Sequence, residues 1–444
     1  MRIFIWLRKY RTTINGIFIT IFTSLILNTI SGTSGDVFKD PYKVFLQLVD
    51  FRSFSGVLTL ASLILLVLFN VLLIWGINRI NKKSFSREFP EFMKKYTSPQ
   101  IADSLGGGCI SWGEGKTVEI CSDVIFGWTP ENIVIDRYDD VMYSFFTKEY
   151  SERKFGQKSY HFNEEDYEAF KSTESFAKII KDGNNLPRVM LNKCSVNFDK
   201  HNRKLLLSVG RTEWSQTSYV WDGFGKAKGD EVDSNSLMKE YVSGIVSGDK
   251  ADPYLPNSLC MHLLIESRDN KVVLAHISES KRNDNPGTWA ATLGEQLDIE
   301  DIIDGKNYID NFLSGWLKRA FKEEFKLDDK MFEDIVNESS LRCISVDFES
   351  DRYNFALLCT VKLRYSFDDF DEKVKVLIST DEANRLKGIS IDEIPEILFT
   401  YADEERRKEY HPSTYLRLLM FYIHKCGYSK AEKELLKVEK ELHE

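Results

Sequence analysis

Gly305-Lys-Asn-Tyr-Ile-Asp-Asn311-Phe-Leu-Ser-Gly-Trp-Leu-Lys-Arg319-Ala320-Phe321-Lys-Glu323-Glu324-Phe-Lys326-Leu327 is the stretch that decides the fold. On a helical wheel, residues 311–326 place Leu313, Trp316, Leu317, Ala320 and Phe321 on one side, the stripe of a helix packed on a core. Glu324 falls near the centre of that stripe, and Glu323 lies at its edge beside Arg319. Arg319 and Glu323 are spaced to pair across one helical turn. Both glutamates sit in the last turn, where the helix dipole favours cations. A carboxylate that breaks the burial pattern and the dipole rule needs a partner, either Arg319 or a divalent cation with oxygen ligands. The competing expectation is an ordinary amphipathic helix whose Glu-Glu pair frays into solvent.

Around this helix the pattern is mixed. Residues 259–267 and 271–277 flank Arg268-Asp-Asn270 as a β-hairpin. A loop at 278–287, a strand at 288–293, later strands at 342–348, 353–363 and 373–378, a helix at 412–424 and a charged tail complete the expected order. Before it, strands are expected at 117–120, 132–136, 188–198 and 204–209, a helix within 163–181, and a glycine-rich loop or lid at 223–248.

The chain has 444 residues and opens on two uncharged apolar windows, residues 14–30 and 57–77. A spanning helix needs roughly 20 apolar residues, so the pair reads as a transmembrane hairpin. Arg2, Arg8, Lys9 and Arg11 precede the first window, and Arg79, Lys82, Lys83 and Arg87 follow the second. The positive-inside rule then puts both termini in the cytoplasm of a multi-pass membrane protein. The expected division is 1–30 cytoplasmic start and first span, 31–56 external loop, 57–77 second span, 78–97 connector, 98–250 cytosolic α+β region and 251–444 the domain carrying the quoted stretch. Thr20, Ser24 and Asn28 share a face of the first span, suited to helix packing or to a water path after oligomerisation.

Charge divides unevenly. Residues 1–87 carry a net of +8, which leaves −17 for the remainder of a chain whose net charge is −9. The basic part suits anionic lipid headgroups. The acidic part disfavours a DNA or RNA polymer, which needs an extended basic surface, but leaves room for a small anion in a local pocket. Seven cysteines, all after the apolar windows and without a Cys-x-x-Cys pair, read as reduced thiols.

The quoted stretch resembles the Nudix box, Gly-x5-Glu-x7-Arg-Glu-U-x-Glu-Glu-x-Gly-U, at Gly305, Arg319, Phe321, Glu323, Glu324 and Leu327. It departs at Asn311 and Ala320, where glutamates are expected, and at Lys326, where glycine is expected. With the hairpin in front, the chain resembles the two-transmembrane Nudix effectors of cyclic-oligonucleotide-based antiphage signalling, known as CBASS. Gly210-Arg211-Thr212-Glu213-Trp214 and the segment from Pro286 through Trp289 to Gly294-Glu295 add to that likeness. The resemblance implies a Nudix-like α+β fold, a mixed sheet sandwiched by helices. It also implies a homo-oligomer whose domain binds a cyclic nucleotide from a cognate nucleotidyltransferase, after which the membrane part breaches the bilayer and the infected cell dies. In active members the box glutamates hold magnesium. Here Glu323 and Glu324 remain as candidate metal ligands, with no cofactor required and no catalytic residue assigned.

Candidate nucleotide contacts are Arg211, Lys281, Arg282, Trp289, Gly294, Glu295 and Arg319, the basic residues for phosphates and Trp289 for stacking on a base. The plainer expectation is solvated basic residues and a core tryptophan. His262 and His276 are expected to be packed within strands. The competing functions are a membrane-tethered hydrolase of nucleoside diphosphate derivatives and an adaptor with no small ligand.

Overall fold

The computed structural model describes residues 110–112, 117–142, 145–150, 161–181, 185–198, 203–226, 241, 255–279, 285–304, 307–350, 352–375 and 383–443. The chain divides into two compact units, Met1–Ser86 and Arg87–Glu444. Both apolar windows and the connector lie outside the described residues, as do Lys281, Arg282 and Gly305. Among the described residues no helix is long and apolar enough to cross a membrane.

In chain order the strands are β1 (Thr117–Ser122), β2 (Ile133–Met142), β3 (Pro187–Phe198), β4 (Arg203–Glu213), β5 (Leu259–Glu266), β6 (Lys271–Ile277), β7 (Trp289–Ala291), β8 (Leu293–Gln296), β9 (Ile303–Asp304), β10 (Asn307–Tyr308), β11 (Val336–Glu349), β12 (Asn354–Leu363) and β13 (Ala383–Ser390). The principal helices are α1 (Glu164–Lys171), α2 (Glu174–Lys181), α3 (Trp214–Lys226), α4 (Phe312–Phe325), α5 (Asp329–Ile335), α6 (Phe367–Val374), α7 (Ile394–Phe399), α8 (Pro412–Cys426) and α9 (Tyr428–His443).

The main sheet is eight-stranded, ordered β1-β11-β12-β5-β6-β13, with β7 on β6 and β8 on β5. β12 and β5 pair in parallel, and the other pairs in this sheet are antiparallel. The apolar run of β12 is buried on both faces, as a central strand between two helical layers must be. On one face Phe348 and Leu357 pack with Leu313, Trp316 and Phe321 of α4. On the other, Ile344 and Leu358 pack with Leu398 of α7 and Leu419 of α8. This is a mixed sheet sandwiched by helices, the expected α+β architecture.

A second sheet, β2-β4-β3, shares the α4 side of the core through Val189, Leu207 and Val209. It is tied on by the bond from Val189 N to Leu297 O (3.0 Å). The Asn257 amide accepts from Leu191 N (2.9 Å) and donates to Leu191 O (3.2 Å). Since β1 also pairs with β11, the region 98–250 contributes strands to the same compact unit as 251–444.

Local chemistry explains where elements differ from expectation. The helix at 163–181 is two helices: Asn163 accepts from Asp166 N (2.9 Å) to start α1, and the Thr173 hydroxyl accepts from Phe176 N (3.2 Å) to start α2. The strand expected to begin at Lys373 is the end of α6, because Ser366 caps Asp369 N (3.3 Å) and two acids fill the first turn. The charged tail is helix α9, held by buried Ala431 and Leu435 one turn apart. The strand at 288–293 breaks at Thr292 into β7 and β8. α3 runs into the expected lid as far as Lys226, and most of that segment lies outside the described residues.

Candidate functional site

The break at Thr292 makes the site. β5 and β6 pair at Ile265↔Val273 and Glu266↔Val272 and then diverge. Beyond that point β8 continues on β5, from Leu263↔Leu293 to Cys260↔Gln296, while β7 continues on β6. Thr292 stands in the fork, its hydroxyl accepting from Ile265 N (3.2 Å) and donating to Val273 O. A cavity of about 180 Å³ opens in the split. Ala275, Ile277 and Ala290 form its β6 arm, and His262 and Gly294 its β5 arm. Glu324 enters from α4, Glu349 and Arg352 from the end of β11, and His411 and Arg417 from α8 and its cap. Gly294 leaves this space: a Cβ there would sit 3.4 Å from His262 Cε1.

A buried ion pair organises the polar end. Arg417 Nη2 donates to Glu349 Oε1 at 2.6 Å. The two side chains are 2% and 5% exposed. Burial alone would raise the Glu349 pKa, but the surrounding positive charge, that of Arg417 first, outweighs it and holds it at about 2. Burial, with Arg417 assisting, drives the His262 pKa well below its ordinary value, so the ring is neutral. Its Nε2 is buried and has no hydrogen-bond partner. Behind the pair, burial pushes Asp347 up to about 7 against the Ser345 hydroxyl (2.6 Å) and Arg417. Glu119, on β1, is raised by the same desolvation.

The box helix contributes to both the site and its frame. Arg319 uses all five of its N–H groups. Nε and Nη2 grip Asp301 at 3.0 and 2.7 Å, Nη2 also reaches Gln296 O at 2.6 Å, and Nη1 reaches Glu295 at 3.1 Å and Glu323 at 3.2 Å. The expected pairing of Arg319 with Glu323 is therefore present, within a larger cluster that also joins Arg188 to Asp298. Burial disfavours the Arg319 charge, and Asp301, Glu295 and Glu323 more than compensate. Glu295 is raised by its own burial. Lys326, where the box has glycine, ends α4 in the left-handed conformation with φ 54°, and Asn311 precedes it with φ 56°.

A divalent cation is the group the box implies, and the donors do not fit one. Ala320 is fully buried and offers no oxygen, and Glu323 gives one carboxylate oxygen to Arg319 at 3.2 Å. Among the described residues no three His, Cys, Asp or Glu side chains converge as metal ligands.

The expected site residues separate into groups. Gly294 and Glu324 line the cavity. Glu295, Arg319 and Glu323 form the ionic frame beside it. Trp289, on β7, meets His276 edge-on at 4.9 Å. Arg211, on β4, pairs with Asp140 at 3.4 Å. Lys281 and Arg282 lie outside the described residues. His262, Glu349, Arg352, His411 and Arg417 were not expected at the site. A lone arginine inside the apolar run of α8 was the one available signal for Arg417.

No protein-family model matches the chain, and no curated protein matches it. Among solved structures, the chain is similar to DR0079 from Deinococcus radiodurans, with 11% identity over 37% of this chain and 93% of that one and a TM-score of 0.22. It is also similar to the MutT protein from Methanosarcina mazei Go1, with 17% identity over 35% of this chain and 96% of that one and a TM-score of 0.20.

Proposed function

We propose that the protein is a membrane-anchored sensor of a cyclic nucleotide, an effector of the CBASS type, whose Nudix-like domain binds the messenger without consuming it. The observation that carries this is the fate of the box carboxylates. Two of the four expected positions hold Asn311 and Ala320, Glu323 pairs with Arg319 beside the cavity, and of the box glutamates only Glu324 lines it. Metal-assisted hydrolysis needs carboxylates that gather an ion and activate water. A cavity with a neutral histidine, a compensated ion pair and a single box glutamate supports recognition instead.

Binding gates the membrane part if the ligand prefers an assembled state of the chain, since a ligand shifts an equilibrium only by its differential affinity. The two apolar windows supply the hairpin that disrupts the inner membrane. The experiment is dye release from liposomes containing the purified chain, challenged with cyclic di- and trinucleotides. Release with at least one of them, with the nucleotide recovered intact, is the expected result. No release with any, or multiple turnovers of the nucleotide, overturns the sensor reading.

Glu324 on the cavity wall favours one alternative, a membrane-tethered hydrolase of nucleoside diphosphate derivatives. That reading requires turnover that disappears in Glu324→Gln.

A further inference from the structure

The edge strand β13 carries an arrangement that the cavity does not use. Its ladder with β6 is bulged: Ala383 pairs with Ile277 and Arg385 with His276, leaving Asn384 as the extra residue. The bulge turns Arg385 to the same face as His276 and Trp289, which pair with each other across β6 and β7. There the Arg385 guanidinium lies 5.3 Å from the Trp289 ring centre, and the Lys387 ammonium lies 5.7 Å from it and 6.0 Å from that of Tyr410. His276 fixes the arginine. A guanidinium only donates, so the Arg385 Nη2 contact at 3.0 Å makes His276 Nε2 the acceptor, and Nδ1 donates to Asn384 Oδ1 at 2.9 Å.

Neither cation has a carboxylate partner among the described residues, in a part of the chain whose net charge is −17. Lysine on an edge strand is an ordinary guard against edge pairing. That role does not call for an arginine oriented by a histidine against a partly buried tryptophan.

The same three segments also build the cavity. Ala290 follows Trp289, Ala383 precedes Arg385 on β13, and His411 follows Tyr410. His411 N donates to Trp289 O at 2.9 Å. The two arginines that line the cavity, Arg352 and Arg417, are matched in number by Glu324 and Glu349, and Arg417 is committed to Glu349. At about 180 Å³ it is also smaller than the roughly 300–1,000 Å³ of pockets that enclose a whole ligand. A neutral ring with donors and acceptors suits it, and the charged remainder of a ligand must lie over the rim.

We infer that Arg385 and Lys387, held by Trp289 and His276, are the phosphate subsite of a nucleotide ligand whose uncharged ring enters the cavity. The inference rests on the nucleotide-binding reading above and assigns the charge recognition to β13, away from the box helix.

Titration calorimetry on the full chain in detergent tests it. The probes are the four nucleoside 5′-monophosphates, the matching nucleosides, and inorganic phosphate. At least one monophosphate is expected to bind about tenfold more tightly than its nucleoside. That preference should fall as salt rises and be lost in Arg385→Gln/Lys387→Gln, with nucleoside binding unchanged. A monophosphate preference that survives in the double variant, or that is absent or salt-independent in the wild type, overturns the subsite. If the double variant does not fold, the wild-type salt dependence decides alone. A phosphate preference lost in the double variant, alongside liposomes that stay sealed with every cyclic nucleotide, leaves the subsite standing and sinks the sensor. Cyclic-nucleotide release of unchanged potency in the double variant does the reverse.

Discussion

Asp347 keeps a proton that an aspartate in water would give up. Its folded pKa is about 7, against about 4 for the unfolded chain. Between those values the folded chain holds a proton the unfolded chain has released. Its contribution to stability is therefore present at about pH 4 and lost as the pH rises to about 7. His262 has the opposite sign: its folded pKa is depressed, so its contribution is present above the unfolded value of about 6.5 and lost as the pH falls below it. The wild-type curve mixes the two, and a difference measurement separates them. Asp347→Asn should gain on the wild type by ~2–4 kcal/mol between pH 4 and 7, because one pKa unit is worth about 1.4 kcal/mol. Denaturant titrations of the two chains across that range check this, and parallel curves contradict it. None of this was legible from Asp347 alone, because the burial that raises its pKa, and the Arg417 charge that opposes the rise, come from elements distant in sequence.

At the scale of elements, α4 shows both the reach and the limit of sequence reading. Periodicity identified the helix, its buried stripe and the Arg319–Glu323 pair, since all depend on spacing within one segment. It placed Glu324 on the inward side, where the residue lines the cavity. Spacing could not reveal that Arg319 grips Asp301 and Glu295 as well, from 18 and 24 residues away. It also missed the fork, because Thr292 looks like any strand residue until two neighbouring strands part around it. The same helix carries a local defect. Lys326 adopts a left-handed conformation that costs a side-chain-bearing residue roughly 1–2 kcal/mol and glycine almost nothing. Lys326→Gly should stabilise the chain by about 0.5–1 kcal/mol once the greater entropy of unfolded glycine is counted. An unchanged or lower midpoint of thermal unfolding would contradict that assignment.

On the scale of the molecule, the eight-stranded and three-stranded sheets of the Arg87–Glu444 unit draw on one hydrophobic cluster and are stitched together at Leu191 and Leu297. Heat should therefore melt this unit in a single transition, seen by calorimetry. Asn257→Ala, which strands a buried Leu191 N–H and carbonyl, should lower that one transition by about 2–4 kcal/mol. Two separated transitions would show that the sheets fold independently. The expected boundary at residue 250 reflected a change in local pattern. Strands on either side of such a boundary can still pair, as β1 and β11 do.

Thr292 has a consequence for how this lineage can change. Its single hydroxyl serves both arms of the fork, so valine, equal in size, would leave an amide and a carbonyl stranded where the strands separate. Natural variation at this position should be confined to threonine and serine, even where the neighbouring wall residues drift freely.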